Sequence, residues 1–98
     1  MARYFLVFRG KGPAWDHAKG RREQDGWEEH AAFMDGLVED GFVVLGRPVG
    51  EGEGEDTLQV MEAEDEQAVR ACLAEDPWRE DMLVTKSVEP WQVWLRRD

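Results

Sequence analysis

Residues 3–9 read RYFLVFR and residues 42–49 read FVVLGRPV, and these two stretches decide the fold. Both are rich in aromatic and β-branched side chains, the composition of strands. The first offers Tyr4, Leu6 and Phe8 to one face and Phe5 and Val7 to the other, and the second divides Phe42 and Val44 from Val43 and Leu45. A strand with one wet face alternates apolar with polar residues. These alternate apolar with apolar, so both faces of their sheet need cover.

Between the two strands, residues 10–24 are polar and contain glycine. That length without a periodic pattern marks a functional loop, expected to be a mobile lid with Pro13 and Trp15 near one end rather than a core segment. A helix follows, with Asp25 as its cap and Glu28 reaching back in capping-box fashion. Trp27, Ala31, Met34 and Val38 form its apolar stripe, with Phe33 and Leu37 widening it. The helix runs to about residue 40, and Gly41 supplies a left-handed stop.

After the second strand, the Gly/Glu run of residues 50–55 predicts a hairpin connection to a third strand over residues 57–62. Asp65 caps a second helix whose buried face is Ala68, Val69, Cys72 and Leu73, and Pro77 ends it. Residues 83–88 form a fourth strand, and residues 91–95 an extended tail. The order β-α-β-β-α-β with right-handed crossovers defines an α+β, ferredoxin-like arrangement, two helices on one face of a four-stranded antiparallel sheet. Two helices cover one face only. The simplest cover for the other is a second copy of the chain, so we expect a two-fold homodimer burying well over ~1,000 Å².

Ninety-eight residues make one domain, residues 1–98, without repeats or linkers. Twelve basic against 22 acidic side chains leave a net charge of −10, which repels phosphate backbones and anionic headgroups and so speaks against nucleic-acid and membrane-surface roles. No run approaches the ~18–20 apolar residues of a membrane span. The short apolar start has no small-residue cleavage site behind it, and the single Cys72 fits a reducing cytoplasm. One Cys and two His at no ligand spacing predict neither metal nor cofactor.

The Gly50–Glu55 run superficially matches a phosphate loop, but it precedes a strand and its glutamates repel phosphates. Cys72, on an apolar stripe with no nearby base, reads as a small hydrophobe. His17 reads as solvated. His30 lies on the sheet-facing side of the first helix, where an imidazole must find a hydrogen-bond partner; taken alone it reads as a satisfied core histidine. Asp76, before Pro77, reads alone as the cap of a short turn.

The run Trp27-Glu28-Glu29-His30-Ala31-Ala32-Phe33-Met34, then Leu37, Gly41 and Leu45-Gly46-Arg47-Pro48, resembles the YciI-like (YCII-related) family. So does Ala74-Glu75-Asp76-Pro77-Trp78, followed by Glu89-Pro90-Trp91. The resemblance spans residues 4–94, with Arg47 standing where the family often has a second glycine. It implies a ferredoxin-like fold paired sheet to sheet as a dimeric α/β barrel, and a pocket where a His and an Asp meet. By motif match these catalytic candidates are His30 and Asp76. One branch of the family removes chloride from chlorinated hydroxyquinols with such a pair. The resemblance thus implies a small cofactor-free enzyme, a lyase or isomerase, using His30 as general base on a small aromatic or enolisable molecule. Trp27 or Trp78 would line its pocket, and Arg21, Arg22 or Arg47 would offset the acidic charge. The competing reading is a dimeric module that binds a small ligand or a protein without catalysis; an oxygenase is a weaker third.

Overall fold

The two-faced pattern of residues 3–9 becomes strand β1, Arg3–Lys11, in the computed structural model, which describes residues 3–49 and 56–95. Helix α1 spans Trp27–Glu39, β2 Val43–Pro48, β3 Thr57–Ala63, α2 Glu66–Leu73 and β4 Leu83–Trp91. These strands form one antiparallel sheet in the order β2-β3-β1-β4. Each helical crossover thus skips a strand, β3 lying between β1 and β2, and β1 between β3 and β4. Among the described residues, no helix is long and apolar enough to cross a membrane. The connection expected over residues 50–55 lies outside the described residues.

Both helices lie on one sheet face. Phe5 and Val7 of β1 and Met61 of β3 pack there against Leu37 of α1 and against Val69 and Leu73 of α2. The stripe of α1 is rotated from the one predicted. His30, Phe33, Met34 and Leu37 face inward, while Val38 is exposed. Gly41, with φ 85°, ends the helix as expected, and Asp65 caps α2 by accepting the Ala68 N–H at 2.8 Å.

Four local expectations are corrected. Asp25 does not cap α1: Gly26 holds that position at φ 80°, with no side-chain cap bond. The reason lies in the main chain, because the Asp25 carbonyl accepts Trp78 Nε1–H at 2.8 Å. Helix α2 stops at Leu73, short of Pro77, as Asp76 N–H turns back to the Leu73 carbonyl at 3.1 Å. In β2 the register shifts between Val43 and Leu45. Such a bulge breaks the period of two, so Val43 is buried under the helices while Val44 and Leu45 both face the other side.

The fourth correction concerns residues 10–24. β1 runs on through Gly10 and Lys11, and Trp15 is buried in a second cluster with Trp78 and Leu83. The buried Gln24 side chain donates to the carbonyls of Asp16 at 2.7 Å and Lys19 at 3.1 Å, and accepts the Asp16 N–H at 3.1 Å. Burying an indole outweighs the polarity of its neighbours. This segment is partly core.

No helix of the described chain covers the opposite sheet face, where Val93 of the tail joins the strand side chains. Tyr4, Leu6, Leu58, Val60, Val44 and Leu45 line an apolar hollow of about 460 Å³ there. Leu45 is 60% exposed, and Trp94 in the tail beyond β4 is 85% exposed.

Candidate functional site

The site is built where α1, β1 and the turn after α2 converge. His30 sits one turn into α1, its backbone N–H bonded to the Gly26 carbonyl at 3.0 Å. Asp76 lies in the turn beyond α2, and its Oδ1 accepts the Trp78 N–H at 2.8 Å, an Asx turn that pins the carboxylate. His30 Nδ1–H donates to Asp76 Oδ1 at 2.9 Å and Oδ2 at 3.0 Å. Asp76 therefore has the turn role read from its sequence and a contact with His30 at once. His30 is 6% exposed and Asp76 4%.

A third residue completes this cluster. Arg9 of β1, 2% exposed, donates from Nη1 to Asp76 Oδ2 at 3.0 Å. The sequence reading did not single it out. The signal was available: Phe5 and Val7 face the helices, so Arg9, two residues on, must face them too. A guanidinium on a buried strand face demands a carboxylate.

The electrostatics follow from this geometry. Burial alone pushes the Asp76 carboxyl up. The His30 hydrogen bond and charge, the Trp78 N–H and the Arg9 guanidinium outweigh burial and hold it below its ordinary 3.8. An ionised Asp76 can only accept, so the proton of a neutral His30 sits on Nδ1, leaving the Nε2 lone pair free. Nε2 makes no hydrogen bond among the described residues and is not among the fully buried polar atoms without a partner. The His30 side chain as a whole keeps 8% of its surface exposed.

Tryptophans set the ring's orientation. Trp78 stacks on His30 with centroids 4.1 Å apart and planes 10° from parallel. Trp15 meets Trp78 edge-on at 5.5 Å, and Trp27 lies 6.0 Å from His30. Gly26 allows this packing: a Cβ there would lie 3.2 Å from Trp78 Nε1, on a backbone that is already left-handed. Arg21 lies over Trp15 at 5.1 Å and Arg22 over Trp27 at 6.0 Å. Next to them, Gln24, Gly26, Trp27 and Glu29 line a shallow groove of about 370 Å³.

Arg47 is exposed on β2, at the sheet edge, and His17 is exposed in the 10–24 segment. Cys72 is half-buried. Burial, then Glu75 and Asp40, push its thiol up, away from the reactive thiolate.

The strand order and the two helices on one face define an α+β protein of ferredoxin-like topology. Among solved structures, the chain is similar to 5-chloro-2-hydroxyhydroquinone dehydrochlorinase (TftG) from Burkholderia phenoliruptrix, in complex with 2,5-dihydroxybenzoquinone. The TM-score is 0.67 at 24% identity, over 91% of this chain and 93% of that one. The likeness runs through nearly all of both chains and is one of fold. No protein-family model and no curated protein matches the chain.

Proposed function

We propose that this chain is a small enzyme of the YciI-like kind, in which His30 moves a proton and Asp76 holds it in the reactive tautomer. The observation that carries this reading is the buried His30–Asp76 contact, at 2.9 and 3.0 Å, with the carboxylate also tied to Arg9 and to the Trp78 N–H. Nε2 takes a proton from a substrate hydroxyl or acidic carbon. The electron pair left behind expels a leaving group such as halide, or is reprotonated elsewhere, giving lyase or isomerase chemistry. Asp76 stabilises the imidazolium, and such general-base work contributes ~10²–10⁴-fold. The substrate class is a small aromatic or enolisable molecule. The similar fold of a dehydrochlorinase acting on a chlorinated hydroxyhydroquinone supports that class.

The same reading has the chain working as a homodimer, its apolar hollow closed by the same face of a second copy, in the cytoplasm. The test of the chemistry is His30→Gln assayed on chlorinated hydroxyquinols for chloride release, and on enolisable ketones for solvent deuterium uptake. Wild type turns over at least one of them and His30→Gln does not, with the fold kept. Equal rates in both proteins would remove His30 from the chemistry. A second reading, a ligand-binding module without turnover, is favoured by the Trp78 stack, which leaves 8% of the His30 side chain exposed. Saturable binding of 2,5-dihydroxybenzoquinone without turnover of any such substrate would select it.

A further inference from the structure

Arg9 is nearly sealed from solvent, and its Nη1 meets Asp76 Oδ2 at 3.0 Å on a carboxylate side chain that is wholly buried. Its Nε–H is buried as well, without a hydrogen-bond partner. A neutral donor could bond the same carboxylate oxygen with less to desolvate. What the guanidinium adds is a charge that no ordinary pH removes.

The buried charges sum differently in the two states of His30. With a neutral ring, Arg9 and Asp76 cancel and the cluster sums to zero; with an imidazolium it carries one positive charge. A neutral residue at position 9 would reverse this, leaving one negative charge beside a neutral ring and zero beside an imidazolium. A buried site favours the state whose charges cancel, so position 9 decides which form of His30 the fold prefers. The surroundings do not override it. The strand neighbours of Arg9, Thr57 and Thr85, are neutral. Among the described residues, Arg22 before α1, Glu28 and Glu29 on it, and Arg70 on α2 are exposed, as are Glu75, Arg79 and Glu80 beyond α2, so water and salt screen them. The charges that act on Asp76 are those of His30 and Arg9.

We infer that Arg9 is a positioning residue of the His30–Asp76 pair, holding His30 as the neutral imidazole that can accept a proton. It touches no reacting atom and acts through Asp76. This role rests on His30 being the base, whereas the charge state of the ring is read without any substrate, so the two can fail separately.

The test is nitrogen-15 spectra of the His30 ring across pH in the full chain, for wild type, Arg9→Gln and Arg9→Lys. At a fixed pH the ratio of imidazolium to imidazole should rise roughly tenfold or more in Arg9→Gln. Arg9→Lys keeps the charge and should stay within about threefold of wild type. Melting curves are the second measurement, and they serve even where Arg9→Gln folds poorly. A ring that holds its proton more tightly in the fold adds stability below its unfolded value, about 6.5, and loses it as pH rises. The gap in melting temperature between wild type and Arg9→Gln should therefore narrow from about pH 8 to about pH 6, and an Arg9→Gln chain unfolded at the upper pH should regain structure at the lower. A ratio in Arg9→Gln within about twofold of wild type, or a shift in Arg9→Lys as large as in Arg9→Gln, would overturn the role. So would a gap, or an unfolded state, that persists unchanged over that pH range.

Discussion

The two faces of one sheet have met different fates. Under the helices, both carboxylate oxygens of Asp76 are taken up, by His30, Arg9 and the Trp78 N–H, beside an apolar core. On the other face, Tyr4, Leu6, Val44 and Leu45 border an apolar hollow that no helix of the described chain covers. The same strands build both, since alternate side chains of β1 go to opposite faces. The covered face can hold charge because the Asp76 carboxylate is tied to three donors there. The hollow on the open face is lined by no charged side chain, while Glu62, Glu89 and Arg47 share that face around it by register, an apolar centre with a charged rim such as interfaces carry.

The largest effect should come from opening the covered face. Asp76→Ala strands Arg9 as an uncompensated buried charge, a loss of roughly 3–5 kcal/mol, a large share of the ~5–15 kcal/mol typical of a domain. Urea unfolding should show the midpoint collapse. A loss within ~0.5 kcal/mol, the range of ordinary surface substitutions, would mean the cluster is not buried as described.

Acid should probe the same face more gently. Asp76 is held below its ordinary 3.8 in the fold. A carboxyl lowered in this way stabilises fully above its unfolded value, and that contribution drains away as pH falls towards the folded one. Wild type should therefore lose stability more steeply than Asp76→Asn below about pH 4, in melting curves taken across that range. Parallel slopes would contradict the lowered carboxyl.

The smallest effect on the covered core should come from charging the open face. Leu45→Glu touches a residue 60% exposed, so the near-ultraviolet signal of the Trp15–Trp78 cluster should stay. If this face pairs with a second copy, the mass in sedimentation should fall from two chains to one. A wild type already monomeric at micromolar concentration would leave the open face without the partner proposed for it.

The contrast between the faces was largely legible in residues 3–9, since alternation there needs only a count of two. Element order and the Asp65 and Gly41 helix ends were equally local. What escaped depended on contacts distant in sequence or on broken periods. The β2 bulge moved Leu45 to the face of Val44, and no composition signal marks a bulge. Trp15 looked like part of a polar loop because its partner, Trp78, lies 63 residues away. Asp25 looked like a cap because its carbonyl's bond to Trp78 is tertiary. Arg9 sat in plain view on the buried parity of β1, and alternation carried two residues further would have placed it.

The central claim is that Asp76 holds His30 with its proton on Nδ1 and the Nε2 lone pair outward. Long-range proton–nitrogen correlation spectra of nitrogen-15-labelled protein read that tautomer directly. At a pH where His30 is neutral, Nδ1 should resonate as a protonated, pyrrole-type nitrogen and Nε2 as a pyridine-type one, with the preference lost in Asp76→Asn. A His30 that carries its proton on Nε2 in the wild-type protein would contradict the account.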